Sequence, residues 1–291
     1  KIAASGSVTS LTDGKGNDSN VQLQKECYKY MFYNCTVLTA APELPATNLK
    51  DNCYNYMFCN CTSLTTAPKL PAISLVEYCY EGMFSGCVGL TTAPVLLAQA
   101  VPNAAYQKMF ESCTSLTAAP ALLAETIGGG SYGNMFAGCT SLTTPPSTLP
   151  AKSLASGCYS GMFSGCTSLK TVPTILAVNL ADRCFSSMFR GCKNLSIKEK
   201  SDATHKAEWK FPVTQEPNTT LVEWDREMFD DLDSLAFPSK TSTGNRQYKA
   251  PKLNTTYYVN PNGANSGGTS HTHQWSYTWA SDGTHHWHEC T

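Results

Sequence analysis

Apolar and polar positions repeat along this chain with a fixed period. A Met-Phe pair marks the period, and successive pairs are 26 residues apart except for one step of 27. The methionines of these pairs are Met31, Met57, Met83, Met109, Met135, Met162 and Met188. A period of this length predicts a stack of similar coils, each of which contacts only its neighbours.

The first half of each coil has the apolar spacing of a short helix. In the second coil, Cys53, Tyr54, Met57 and Phe58 fall at i, i+1, i+4 and i+5, which places them on one helical face. Asp51 precedes them as a candidate N-cap, and an Asn, Ser or Gly follows each Met by three residues, as at the left-handed end of a helix. We therefore predict a two-turn helix in each coil, held in place by stacking.

The second half of each coil has the pattern of a short strand. A second Cys is followed by a Leu three residues later, then by a Thr-rich segment such as Thr65-Thr66-Ala67, which ends at a proline. Stacked coils would pair these strands into a parallel sheet with an exposed ladder of polar residues. The ladder consists of Thr39, Thr65, Thr91, Thr117, Thr143 and Lys170.

This Thr ladder is one candidate ligand-binding surface. The alternative, which we weigh equally, is that threonine is simply a good strand former on a solvated sheet. Glu43 and Lys69 occupy an exposed column just beyond the ladder. The side chain in this column differs among Glu43, Lys69, Val95 and Ala121, so we count Glu43 and Lys69 as candidate contact residues as well.

The motif Met-Phe-x-Gly/Asn-Cys-Thr-Ser-Leu-Thr-Thr-Ala-Pro-x-Leu-Pro-Ala resembles the BspA-type leucine-rich repeat of bacterial cell-surface proteins. The resemblance implies an α/β fold, a right-handed leucine-rich-repeat solenoid with a short parallel strand and a short helix in each coil. It also implies export to the cell surface, with adhesion or binding to a protein of a host or a neighbouring cell. The family motif does not fix the residues that contact a ligand.

The rest of the organisation follows from where the period holds and where it breaks. We expect an N-terminal edge cover in residues 1–22 and seven repeats in 23–199. A degenerate eighth repeat and cap occupy 200–250, a strand and linker 251–270, and a β-rich His/Trp-rich hairpin tail 271–291.

The degenerate eighth repeat is rich in acidic residues. Trp224 and Leu232 take the two cysteine columns, and Leu235 takes the leucine column. Five acidic residues are new there, and we expect them to form a polar outer surface that closes the stack, with a calcium site as the less favoured alternative.

Fourteen cysteines would suggest a disulfide scaffold, but here they follow the repeat. Ala105 and Ser131 replace the first-column Cys in two coils, although Cys113 and Cys139 remain in the second column. Such replacement favours small, free, buried thiols over disulfide or metal pairs. Cys59 lies outside both columns, so we expect it to be exposed or half-exposed and, in an exported chain, the thiol most prone to oxidation.

The tail contains the metal-binding residue types. In a hairpin that turns at Asp282-Gly283, five side chains would share one face, and His and Cys are the usual zinc ligands. These are His271, His273, His286, His288 and Cys290. The favoured alternative is a hairpin that packs through its aromatic residues or serves as a spacer, so no cofactor is assigned.

Charge and motifs narrow the function classes. The chain carries 21 basic and 22 acidic residues without a basic stripe, which argues against nucleic-acid binding. No apolar run is long enough to cross a membrane, and because the sequence starts at Lys1 we expect that a leader has been removed. We find no phosphate loop, nucleophile elbow or His-Glu-x-x-His motif.

These observations favour a non-enzymatic, monomeric, extracellular or cell-surface protein that binds another protein. Two alternatives stay open. One is a structural spacer or stalk that presents another module, and the other is a zinc- or glycan-binding tail on a solenoid scaffold.

Overall fold

The computed structural model describes residues 2–8, 19, 21–211, 225–230, 232, 237, 239–241, 247–249, 251–253, 255–264, 275–281 and 286–290. These residues form short strands joined by long segments of consecutive turns, without an α-helix. The strands are β1 Ile2–Ala3, β2 Leu38–Ala40, β3 Ala100–Val101, β4 Thr126–Ile127, β5 Thr148–Leu149, β6 Thr174–Ile175, β7 Ile197–Lys198, β8 Ala207–Lys210, β9 Ser239–Thr241, β10 Gln247–Lys249, β11 Thr256–Val259, β12 Trp275–Ser281 and β13 His286–Cys290.

The predicted two-turn helix is wrong. In its place each coil has a ten-residue segment of consecutive turns, which we call the turn arc. The arcs span residues 25–34, 51–60, 77–86, 103–112, 129–138, 156–165 and 182–191. Every fourth residue of an arc has a positive φ: in the second coil these are Asn52, Tyr56 and Asn60, at φ 58°, 50° and 59°. The inward side chains therefore recur every four residues, at Cys53, Met57 and Cys61, rather than every 3.6.

The arc divides its backbone donors between two kinds of hydrogen bond. Every second N–H closes a turn within its own coil, as Met57 N does to Tyr54 O at 3.2 Å. The N–H groups between them donate to the next coil, as Phe58 N does to Met83 O at 2.9 Å. An α-helix would use its donors internally, so this alternation is what links one coil to the next.

Two ladders of aromatic rings form the core beneath the arcs. One runs from Tyr28 to Phe185, and the other runs from Phe32 to Phe229. Neighbouring rings within each ladder are nearly parallel, with centroids 5.3 to 6.0 Å apart. These are offset-stacking distances, and each such pair contributes stability beyond the area that it buries. The methionine column and the predicted leucine column lie beside the rings. The leucines are buried from Leu38 of the first coil onward, and the methionines from Met57 of the second coil onward.

The two cysteine columns are held differently. From Cys61 onward, each second-column thiol donates to a phenylalanine carbonyl in the preceding coil, as Cys113 Sγ does to Phe84 O at 3.1 Å. The first column tolerates Ala105, and the buried hydroxyl of Ser131 has no partner in the part of the chain that the structure describes. The first column therefore requires only a small side chain, whereas the second column requires a small side chain that can also donate a hydrogen bond.

The predicted Thr-rich strand forms only in part. β2 pairs in parallel with β1, and later coils have isolated parallel bridges at this position, Thr66 to Thr92 and Ala118 to Thr144. Longer parallel pairs occur further along the coil, between β3 and β4 and between β5 and β6. Short parallel strands at successive coils fit the predicted repeat solenoid.

The single 27-residue step leaves the core unchanged. Across it, the rings of Tyr132 and Tyr159 are 5.6 Å apart and those of Phe136 and Phe163 are 5.7 Å apart. The bridge from Ala118 to Thr144 still has the 26-residue offset, whereas the buried leucines Leu122 and Leu149 are 27 apart. The extra residue therefore lies between 144 and 149.

Beyond the seventh arc, residues 225–230 stack as a further arc, with Met228 and Phe229 completely buried. Two acidic residues of this arc are buried and do not form the expected polar outer surface. Asp225 is 2% exposed and pairs with Lys240, whereas Glu227 is 6% exposed and pairs with Arg190 and Arg226. Trp224 and Leu235 lie outside the described residues.

A three-stranded antiparallel sheet lies beside this last arc, in the order β7-β11-β8. Trp209 on β8 and Tyr257 on β11 are buried against Phe229 and Phe237. Phe211 packs edge-on against Phe185, where it ends the first ring ladder. Two antiparallel hairpins complete the described strands, β9 with β10 and β12 with β13.

Candidate functional site

The Thr ladder lies on one face of the stack, with its members unequally accessible. Thr65, Thr91 and Thr117 are exposed, whereas Thr39 and Thr143 are half-buried. Alternate hydroxyls bond to the preceding coil, as Thr143 Oγ1 does to Thr117 O at 3.2 Å. Part of the ladder therefore stabilises the stack, while Thr65 and Thr117 keep hydroxyls that face solvent. Lys170, the sixth member, is half-buried.

A continuous apolar channel follows the Thr ladder, where each coil turns at its Ala-Pro segment. We call it the proline groove and define it by the lining residues Pro42, Glu43, Pro45, Pro68, Lys69, Pro71, Pro94, Val95 and Leu97. It consists of two adjoining depressions of about 510 and 340 Å³. Both candidate residues of the variable column, Glu43 and Lys69, line it.

The sequence-based selection missed the apolar wall of this groove. Val95 and Leu97 form this wall and are 71% and 41% exposed, and Leu123, the equivalent of Leu97 in the next coil, is 45% exposed. The signal was present, because the position three residues after the repeat proline is apolar and at least partly exposed in several coils. Its members are Pro45, Pro71, Leu97 and Leu123, followed after the inserted residue by Pro150 and Leu176.

The thiols offer little nucleophilic chemistry. Burial raises the pKa of Cys61 and of Cys139 to about 12, so both stay protonated at neutral pH.

The prediction for Cys59 is wrong: it is 6% exposed, and burial raises its pKa despite a hydrogen bond with Ser85. Stacking from the next coil covers a side chain that points outward within its own coil. Cys27 in the first coil is instead the exposed thiol among the described cysteines.

The outer side of the arcs carries polar pairs that link coils. Asn55 Nδ2 donates to Glu81 Oε2 at 2.8 Å, and Ser85 Oγ donates to Glu111 Oε2 at 3.4 Å. Burial raises the pKa of Glu81, although the bond from Asn55 opposes this shift.

This shift gives a pH-dependent prediction for Glu81. A carboxyl whose pKa is raised in the folded state binds its proton more tightly there than in the unfolded chain, so it costs stability at neutral pH but not at low pH. Glu81→Gln should therefore raise the thermal midpoint by roughly 1–3 °C at pH 7 and leave it unchanged near pH 3. Calorimetry at both pH values measures this. An equal gain at both would contradict the assignment.

Ser196, His205 and Asp202 form a chain of hydrogen bonds that the sequence did not reveal. Ser196 Oγ lies 2.9 Å from His205 Nε2, and His205 Nδ1 lies 3.0 Å from Asp202 Oδ1. The connectivity resembles a Ser-His-Asp triad, but the burial is reversed, since Ser196 and His205 are each 5% exposed and the Asp202 side chain 38%. A nucleophile must be accessible to its substrate, and the buried hydroxyl of Ser196 is not. The hydrogen bonds therefore hold the loop between β7 and β8 in place.

The candidate zinc ligands fall in the region described least. His271 and His273 lie outside the described residues. Residues 286, 288 and 290 alternate along β13, whose register pairs His286 with Ser281 and His288 with Trp279. Alternate positions of a strand lie on one face. Within the described residues, three or more His, Cys, Asp or Glu side chains do not come together as a metal site.

Stacked coils, ring ladders and short parallel strands define a repeat solenoid of the kind that serves as an interaction scaffold. Residues 19–117 match the family model of the BspA type leucine rich repeat region, in six copies. For residues 19–117 this match confirms the repeat family that the sequence predicted. Neither a curated protein nor a solved structure showed significant similarity to the chain. No helix in the described residues is long and apolar enough to cross a membrane.

Proposed function

We propose that this protein is a non-enzymatic bacterial surface protein that binds proteins of a host or a neighbouring cell through its proline groove. The observation that carries the proposal is the exposed apolar wall of the groove. Val95 and Leu97 line the groove from the third coil, and Leu123, which takes the position of Leu97 in the fourth coil, is exposed as well. Apolar patches of this kind on a soluble protein commonly mark sites of protein binding.

The polar residues of the groove support the same function. Glu43, Lys69 and Val95 occupy equivalent positions in three successive coils, and they are acidic, basic and apolar in turn. A spacer or stalk would need only uniform, solvated side chains at these positions. A sequence of different chemistries on a rigid scaffold favours selective recognition of a partner.

The double substitution Val95→Asp/Leu97→Asp tests this proposal. Both side chains are exposed, so the free energy of unfolding should change by less than about 0.5 kcal/mol. Charges placed in an apolar contact should weaken adhesion to host or neighbouring cells roughly tenfold or more. Surface plasmon resonance on a cell-surface protein extract, together with cell adhesion counts, measures this.

Val88→Asp is the matched control for this variant, because Val88 is 39% exposed but lies outside the groove. It should bind as the unmodified protein does. Equal adhesion by all three proteins would remove the groove as the binding surface and leave the spacer hypothesis in its place.

A zinc-binding tail is the second candidate, supported by the register of β12 and β13. We expect one equivalent of zinc to bind at neutral pH and a His286→Ala/His288→Ala variant to lose this binding. Isothermal titration of the full chain with zinc measures both. An unchanged heat of binding in the variant would exclude these two ligands, and a glycan array would then test the remaining role of the tail.

A further inference from the structure

The first turn arc, residues 25–34, differs from all later arcs in being open on one side. Tyr30 is 49% exposed, Met31 40% and Tyr33 44%. Every later methionine of the column is completely buried, beginning with Met57 at 0%. The first arc thus presents to solvent the apolar surface that each later arc buries against its predecessor.

In the described part of the chain, this open face also leaves backbone carbonyl groups without hydrogen-bond donors, while alternate N–H groups of the same arc are paired with the second arc. In the second arc, the carbonyl oxygens of Cys53, Asn55, Met57 and Cys59 accept N–H groups from the first arc. The equivalent carbonyls of the first arc accept no hydrogen bond in the part of the chain that the structure describes. These are the carbonyls of Cys27, Lys29, Met31 and Tyr33. The face is therefore a row of acceptors at every second residue, comparable to a sheet edge but without donors.

This polarity restricts what can cover the face. Two such edges cannot pair with each other, because neither has a donor, so a symmetric contact between two copies through this face is unfavourable. A partner must offer N–H groups at every second residue, and within this fold that is the property of the opposite edge of a turn arc.

The neighbouring strand half of the coil restricts the occupant further. β1 already lies beside β2 there, with Ile2 opposite Leu38, and Val8 N donates to Glu43 O at 3.2 Å. A complete coil of a second solenoid therefore has no room to stack flat on the first coil. A single turn arc has room, and Ile2 lies beside Leu38 in the register that the leucine after each arc has with the next coil.

We propose that the open face of the first arc is a stacking surface for one further turn arc of the same repeat. Its donors satisfy the four carbonyls, and its Tyr and Phe extend the two ring ladders over Tyr28 and Phe32. The coil interface already present between the first two arcs sets the spacing, with ring centroids 5.6 and 5.4 Å apart. Met31 and Tyr33 become as buried as their equivalents.

The test adds such an arc to the full chain. A copy of residues 50–62 is placed ahead of Lys1, so that its cysteines and aromatic residues fall in register with Ile2 in the leucine column. Cys27 is an exposed thiol on the open face, and its rate of alkylation by iodoacetamide, located by peptide mass mapping, reports whether the face is covered. We expect this rate to fall roughly tenfold or more, with slower peroxide oxidation of Met31.

The matched control carries the same extension with its copies of Tyr54, Met57 and Phe58 changed to Ser, and it should leave Cys27 as reactive as in the unextended chain. A second extension copies residues 102–114, which lack the first-column Cys, and should protect Cys27 equally. The proposal is overturned if neither matched extension protects Cys27, if both prevent folding, or if the Ser control protects as well as they do. Concentration-dependent protection of Cys27 in the unextended chain would also overturn it and identify a second copy as the occupant.

Discussion

Replacing Phe110 with alanine should lower the free energy of unfolding by about 3–5 kcal/mol. The ring is completely buried in the middle of its ladder, with the rings of Phe84 and Phe136 at 5.8 and 5.6 Å. Removing it leaves a cavity between two coils and breaks both stacked contacts. Because each coil is stabilised only by its neighbours, the loss should also reduce cooperativity along the stack. Urea unfolding followed by circular dichroism measures the midpoint and the slope.

Phe32→Ala is the matched control for this substitution. Phe32 belongs to the same ladder but is half-buried at its open end, with one neighbouring ring, that of Phe58. Its replacement should cost only about 1–2 kcal/mol. Equal losses for the two variants would show that position along the ladder does not determine the contribution of a ring.

Replacing Lys240 with alanine should cost about 3–5 kcal/mol, by removing a cation from a buried carboxylate. Asp225 is 2% exposed and takes the position that an aromatic ring has in the earlier arcs. Removing the ammonium group of Lys240 takes a compensating positive charge away from a carboxyl group that burial has separated from water. Thermal unfolding of the full chain measures the loss.

The double variant Lys240→Ala/Asp225→Ala should recover part of that stability, because no buried charge is then left behind. Lys252→Ala provides the surface comparison. Lys252 pairs with Glu199 at 3.0 Å but is largely exposed, so its loss should change stability little. If the double variant were as unstable as Lys240→Ala, the cost would come from lost packing and not from the charge.

The sequence predicted the stacking order of the coils and the inward columns, because 26-residue periodicity alone determines them. It did not predict the arc. Cys53, Met57 and Cys61 are four residues apart, which is close to the helical period, and a short segment cannot distinguish four from 3.6. The distinction was available in another column, directly before the methionines, where Gly82, Asn134 and Gly161 fall in the middle of the predicted helix. Such residues are unfavourable within a helix but suit a positive φ.

The candidate site was predicted in part, for a different reason. The variable column led to Glu43 and Lys69 because differences between coils can be read directly. Burial of Cys59 and the buried charges of Asp225 and Glu227 could not be read in this way, since they depend on which side chains the neighbouring coil and the cap place over them. The pairing of β11 with β7 and β8 joins segments outside the repeat, so the period contains no information about it.

The one-residue insertion between residues 144 and 149 shows how the proline-bearing edge of the coils can diversify. It falls at the edge that carries the prolines, and the ring ladders across it keep their spacing. The arcs thus act as a fixed frame of constant length, while the opposite edge accommodates insertions without a cost to the frame. Related chains could therefore acquire new specificities through changes in both the length and the chemistry of this edge, while their cores stay interchangeable.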